Sequence, residues 1–196
     1  MKKILYVVDA QNDYMKDGSI PVDGSNDIIP VINELIRQAE SYNNMFFIRD
    51  LHPVNHASFA SSCEVEPFEV TPEGIKLPDH CVGGTEGGKI HCDITVPAEL
   101  GERLNILDRG THALIDEPSG YSIKLQSEPG IGPFLQQWVK ASEVDLVGIS
   151  TNGSLKYTAL DLRKHSAKVN VLLSACRGLT DEEIVELKVN KINVED

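Results

Sequence analysis

Asp50 and His52 stand two residues apart at the end of the apolar run MFFIRD, so in an extended chain their side chains leave the same face. With His80 from later in the chain they offer one carboxylate and two imidazoles. That set suits a divalent transition metal that keeps positions open for water or substrate. The same DLHP segment also reads as a hydrogen-bonded strand exit. Nothing local fixes His80 as the third ligand, so spacing alone favours this plainer alternative. His56 is a further imidazole, placed to support or replace a ligand.

A second group lies in VGISTNGSLKYTALDLRKH, where an apolar strand runs through Gly148 into a small polar turn and a helix opens near Ser154. Helix N-termini gather unpaired N–H groups and positive dipole, which stabilise the anionic form of a nucleophile placed there. The residue at that point is a serine, with no histidine in the next turn to take its proton. A G-x-S-x-G elbow is excluded because Asn152 stands at the last glycine. GGTEGGKI, from Gly83 to Ile90, has the glycine and lysine spacing of a phosphate loop, but Ile90 replaces the Mg²⁺-binding hydroxyl and no buried strand precedes it. It reads as a flexible active-site loop. Cys81 follows His80 directly, and as a loop thiol between other roles it is assigned to packing.

The elements that must position these groups follow from hydrophobic periodicity. KILYVV, MFFIRD, LNIL, VDLVGI and VNVLL read as strands. Between them Ile28, Ile32, Leu35, Ile36 and Ala39 recur at helical spacing behind the cap candidates Ser25 and Asn26, and Phe134 to Val139, Leu155 to Leu162 and DEEIVELK are also helical. Strands alternating with helices imply a mainly parallel sheet covered on both faces. In such sheets ligands bind beyond the carboxyl ends of the strands. The polar residues closing each strand, Asp9, Asp50 with His52, Arg109, and Ser150 through Ser154, should therefore converge. From Leu51 to Leu100 periodicity fails, and so long an irregular insertion in a compact domain is usually functional.

The chain has 196 residues, enough for one well-buried core and a single domain. Its net charge of −12 argues against nucleic acid or an anionic membrane as partner. No apolar run is long enough for a membrane span, and the first strand meets Asp9 after five apolar residues, unlike a signal peptide. Cys63, Cys81, Cys92 and Cys176 are expected as free thiols in a cytoplasmic protein.

Five segments taken together, VVDAQNDYMKDGSIPV, IRDLHPVNHASF, LPDHCVGGTEGG, ILDRGTHALIDEPSGYS and VGISTNGSLKYTALDLRKHSAKVNVLLSACRG, resemble the nicotinamidase and isochorismatase-like cysteine hydrolase superfamily, in family order and over nearly the whole chain. The resemblance implies an α/β fold with a six-stranded, mainly parallel sheet between helices, and hydrolysis of a small-molecule amide. It assigns Asp9 as the general base, Arg109 as its electrostatic partner, and Asp50, His52 and His80 as ligands of a divalent metal (zinc, iron or manganese), reversing the preference from spacing. It also implies an oxyanion hole from the backbone amides of Ser150 and Ser154, a non-proline cis peptide between Ile149 and Ser150, and a homo-oligomer, dimer or tetramer. Where the family has its nucleophilic cysteine this chain has Ser154, and where it has lysine this chain has Arg109. Positions that would sandwich a pyridine ring include Leu77 and Gly153, which leaves Tyr14 as the aromatic candidate of the substrate pocket. An alkanol is far harder to ionise than a thiol and needs an arranged base, and guanidinium cannot donate a proton as an amine can. Ser154 thus fits an introduced trap of an active hydrolase, natural divergence, or a retired site that binds a ligand. The joint departure of Arg109, Leu77 and Gly153 favours divergence.

Overall fold

The structure is a computed structural model that describes residues 1–121, 132–166 and 168–196. Its centre is one sheet of six strands: β1 (Lys3–Val8), β2 (Asn44–Asp50), β5 (Leu104–Arg109), β6 (Glu143–Ile149), β7 (Lys168–Arg177) and β8 (Asn193–Glu195). They lie in the order β5-β2-β1-β6-β7-β8, and every neighbouring pair is parallel. The strand direction of progression reverses between β1 and β6, the kind of switch point at which open α/β sheets leave a crevice for ligands.

The unbroken apolar run of β1 is what a strand covered on both faces requires. Ile4, Tyr6 and Val8 enter one core with Leu135, Leu155, Ala159, Leu162 and Leu187. These come from α3 (Gly132–Val139), α4 (Ser154–His165) and α5 (Asp181–Val189). Leu5 and Val7 enter the other core with Ile29, Ile32 and Ile36 of α1 (Ile29–Arg37). The cap expected at Ser25 and Asn26 is instead a 3₁₀ turn over Ser25–Ile28 that runs into α1 without a side-chain cap. Asn26 accepts from the Lys16 amide at 2.9 Å. At the other end of the chain α5 carries a full capping box, Thr180 with Glu183.

β1 and β6 approach closely enough that one position tolerates no side chain. A Cβ on Gly148 would lie 2.0 Å from the Val8 carbonyl oxygen, and its φ is +125. The insertion after β2 holds a short α2 (Ala60–Cys63) and a two-stranded hairpin of β3 (Val70–Thr71) and β4 (Gly74–Ile75). The glycine-rich segment expected to be a flexible active-site loop is instead tied down. Asn12 and Asp13 donate backbone N–H groups to Lys89 O (3.0 Å) and Gly87 O (3.1 Å), and Gln11 Nε2 donates to Gly88 O (2.9 Å). It braces the exit of β1. Among the described residues no helix is long and apolar enough to cross a membrane.

Candidate active site

The strand-end residues do converge. Parallel register sets Asp50 opposite Arg109, and Asp9 follows directly on β1 between β2 and β6. Asp9 is fully buried and held at φ +55, a left-handed conformation that a non-glycine residue adopts only when its surroundings enforce it. Here its N–H is bonded to Ile48 O at 2.9 Å and its carbonyl accepts from Gln11 N at 2.8 Å.

Arg109 is the centre of the charge network. Its Nη2 lies 2.6 Å from Asp9 Oδ2 and its Nε 3.3 Å from Asp9 Oδ1, a two-pronged pairing. The same Nη2 is 3.2 Å from Asp50 Oδ2, while Nη1 donates to the Glu117 carbonyl at 2.8 Å. One guanidinium therefore serves two buried carboxylates. Burial pushes the Asp9 carboxyl up, Arg109 draws it down and Asp50 raises it again, leaving it at about 6. The Ser154 hydroxyl is also among the groups that lower it. Burial likewise pushes Asp50 up, but Arg109, His52 and Tyr14 more than offset that and hold it well below the usual carboxylate range. Tyr14 donates its phenol to Asp50 Oδ2 at 2.7 Å.

Asp50, His52 and His80 bring one ligand atom each within 4.8 Å of one another, and all three are buried. His80 is delivered by the insertion, where His52 pairs with Val82 in a parallel bridge and its N–H meets Cys81 O at 2.9 Å. Nδ1 of His52 faces Gly110 O at 2.9 Å and Nδ1 of His80 faces Pro78 O at 2.8 Å. Because a carbonyl only accepts, both Nδ1 atoms carry the proton, and each Nε2 is the ring nitrogen left to act as ligand. Asp50 Oδ1 is buried with no hydrogen-bond partner within the protein. A Cβ on Gly110 (φ +68) would fall 2.7 Å from that same oxygen and 2.6 Å from His52 Cε1. An orphaned carboxylate oxygen in a cradle kept clear by glycine fits a divalent cation. His56 supports this set from behind, stacked on His52 at 4.0 Å, with its Nδ1 engaged by Ser58 Oγ (2.7 Å). Burial and the neighbouring His52 hold His56 below its ordinary value.

Ser154 opens α4 and is fully buried. Its hydroxyl donates to Ile149 O and accepts from Thr151 N–H, both at 3.2 Å. At this corner the structure differs from what the resemblance implies. The Ile149–Ser150 peptide is trans, as are all peptides among the described residues. Its amide continues the β6–β7 ladder, donating to Arg177 O at 2.8 Å, so it is not aimed into the site. The Ser154 amide closes the turn onto Thr151 O at 2.9 Å. Both amides assigned to the oxyanion hole are thus committed inside the protein. Gly153, next to the cavity-lining Asn152, turns the chain into α4 at φ +78.

A cavity of about 210 Å³ lies over these groups, lined by Tyr14, Leu77, Arg109, Asp50, His52 and His80 together with Ile20, Val22, Ser58, Asp116, Pro118 and Ser150–Asn152. Tyr14 and Leu77 were legible as pocket residues. Ile20, Val22 and Asp116 were not, nor was Glu117 behind them, whose carboxylate accepts from the Gly110 amide at 2.9 Å in a stretch without periodicity. Cys81 is fully buried, and burial pushes its thiol far up, so it packs as expected.

The doubly wound parallel sheet thus carries a buried Asp–Arg pair, a helix-terminal hydroxyl and an Asp-His-His cluster at its switch point. No family model matches the chain. The curated nicotinamidase of Escherichia coli K12 is 32% identical over 187 residues, spanning 90% of this chain and 84% of the relative. Among solved structures, the yeast nicotinamidase bound to the inhibitor nicotinaldehyde has a TM-score of 0.83 at 27% identity, covering 99% of each chain. The pyrazinamidase of Pyrococcus horikoshii in complex with zinc has a TM-score of 0.77 at 27% identity, covering 99% of this chain and 98% of that one. The chain belongs to the nicotinamidase/isochorismatase-like superfamily of hydrolases.

Proposed function

We propose that this protein hydrolyses the C–N bond of a small amide, with nicotinamide and pyrazinamide the first substrates to try. The observation that carries the reading is the buried two-pronged Asp9–Arg109 pair, with Ser154 in reach of Asp9 and Arg109 lining a cavity sized for a single-ring molecule. Ser154 Oγ attacks the amide carbonyl while its proton passes to Asp9. The tetrahedral intermediate expels the amine, which takes that proton from Asp9 and leaves as ammonia. Water then cleaves the resulting ester, with Asp9 again as base. Asp9 at about 6 suits both directions of transfer near neutral pH. Arg109 stays charged and fixes the carboxylate in place without donating a proton. Asp50, His52 and His80 would hold a divalent metal, which when bound supplies Lewis-acid polarisation or a held water.

Ammonia release by pure, metal-loaded protein across a panel of small amides tests the proposal. Turnover abolished by Asp9→Ala supports it; no turnover in either the native chain or Ser154→Cys sinks it. One feature favours a second reading, a binding protein that has lost catalysis: Ser154 is inaccessible and the two amides beside it are occupied. That reading expects ligand-dependent thermal stabilisation without product.

A further inference from the structure

Among the described residues a second group of metal-ligating side chains stands outside the active-site cluster. His91, Cys92 and Asp93 bring an imidazole nitrogen, a thiol sulfur and a carboxylate oxygen within 4.8 Å of one another, and none of the three lines the active-site cavity. His91 Nδ1 is 3.9 Å from Asp93 Oδ2, and Cys92 Sγ is 3.7 Å from Asp93 Oδ1. Around a tetrahedral zinc ion of ordinary bond lengths, nitrogen–oxygen and sulfur–oxygen edges measure about 3.4 and about 3.6 Å. Small side-chain rotations therefore close the three atoms on one ion. The Asp93 N–H donates to His91 Nδ1 at 3.3 Å, so that nitrogen carries the lone pair and Nε2 the proton, the tautomer that a ligand at Nδ1 needs.

The turn that carries these side chains is held in place by the rest of the fold. The His91 amide donates to Ala10 O at 3.0 Å, and the Ile94 amide returns to His91 O at 3.0 Å, with Ile94 buried in the core beneath. Asn33 of α1 clamps the far side: its Nδ2 donates to Asp93 O at 2.7 Å and its Oδ1 accepts from Thr95 N–H at 2.9 Å. Little backbone freedom is left to lose on binding, which favours affinity in a preformed site. Cys92 is exposed, the Asp93 side chain is 72% exposed and the His91 side chain 15%. An ion can thus enter from solvent and complete its shell with water.

We propose that His91, Cys92 and Asp93 form a second metal site, for zinc or a divalent ion of similar softness, independent of the amidohydrolase reading. Thiolate and imidazole suit such ions, whereas magnesium and calcium take oxygen ligands. Binding replaces the thiol proton and the long Asp93 N–H contact at Nδ1 with bonds to the metal, and the proton leaves to solvent. One ligand short of a closed protein shell and open to water, the site gives up its ion during purification. The equivalent retained by the isolated protein then belongs to Asp50, His52 and His80, which are buried.

The test titrates cobalt(II), a spectroscopic stand-in for zinc, into metal-free full-length protein. A thiolate-to-cobalt charge-transfer band reports this site and not the first, whose ligand set contains no thiol. In Asp50→Asn, where the first cluster is disabled, the band should grow to about one equivalent of cobalt. It should persist in Cys63→Ser, which removes the other exposed thiol, and be absent in Cys92→Ser. His91→Ala and Asp93→Asn should each raise the half-saturating concentration by about tenfold or more. Zinc should bleach the band by displacement. In the unmutated chain zinc should slow alkylation of Cys92 by about tenfold or more and that of Cys63 by less than about twofold, read by peptide mass spectrometry. That readout holds even if a variant fails to fold. No charge-transfer band, a band that survives Cys92→Ser, or equal zinc protection of both cysteines overturns the proposal. So does half-saturation above about 100 µM, which marks an adventitious ion only.

Discussion

Arg109 neutralises two carboxylates at once, and replacing it should give a destabilisation whose size is set by pH. Arg109, Asp9 and Asp50 are 3%, 0% and 5% exposed, so none can turn to solvent when its partner is lost. At separations near 3 Å each pair attracts by about 5 kcal/mol with an effective dielectric of 20, but desolvation has already consumed most of that. The measurable effect of Arg109→Met is therefore the stranding of two buried anions, about 3–5 kcal/mol at pH 7, or roughly 6–20 °C in Tm for a chain of this length. Without Arg109 both carboxyls titrate in the folded state above their unfolded value near 4. The folded protein then holds protons that the unfolded chain releases, so its stability is fully present below about pH 4 and is lost as pH rises through the folded values. Urea unfolding of metal-free protein from pH 4 to 8 should show the native and variant curves close together at pH 4 and diverging towards neutrality. Asp9→Asn in the Arg109→Met background should recover about half of the loss, because Asp50 remains. A variant too unstable at pH 7 can be folded at pH 4.5 and titrated upward. A penalty constant across that range, or one unaffected by Asp9→Asn, would refute the shared-cation account of the site.

The metal cluster should bind about one equivalent of zinc, iron or manganese by elemental analysis after purification without chelator, and Asp50→Asn or His80→Ala should abolish it; free metal at 100 times Kd should raise native stability by about 2.7 kcal/mol. Metal affinity should weaken on acidification, because Asp50 holds His52 above its ordinary value and that proton must leave before the ring can bind. Gly110→Ala, which drives a Cβ against Asp50 Oδ1 at positive φ, should lose metal while retaining the far-ultraviolet circular dichroism of the fold; a full metal complement would show the cradle is wider than drawn. In Ser154→Cys the dipole of α4 should bring the thiol below about 8.5, read by the pH dependence of alkylation; a value near the 12 to which burial pushes Cys176 would mean the dipole is outweighed. Light scattering at micromolar concentration is expected to give a dimer or tetramer, and monomer mass alone would contradict the family resemblance.

How far this site could be read from the sequence depended on how each residue is positioned. Asp9, Asp50, His52, Arg109 and Ser150 were legible because each stands at the end of a parallel strand, and strands of one direction must deliver their ends to one side of the sheet. The sixth strand escaped the pattern: Asn193–Glu195 is three residues in a charged tail, too short to show alternation, and it joins the sheet through β7. His80 was beyond spacing altogether, since a bridge between His52 and Val82 brings it home and no local rule specifies a pairing across an irregular insertion. At Gly83–Ile90 glycine content suggests mobility, but conformational freedom in the unfolded chain is not freedom in the folded one. The Asp13 carboxylate accepts the Cys81 amide at 2.6 Å, and a Cβ on Gly87 would lie 2.0 Å from that carboxylate, so glycine serves close approach there. The hydrogen bonds of the Ser150 and Ser154 amides lay beyond the sequence for a related reason. A family resemblance transfers side chains residue by residue, but it does not transfer a peptide's orientation, which the whole ladder decides. With Ile149 paired to Arg177, the Ser150 amide satisfies the sheet.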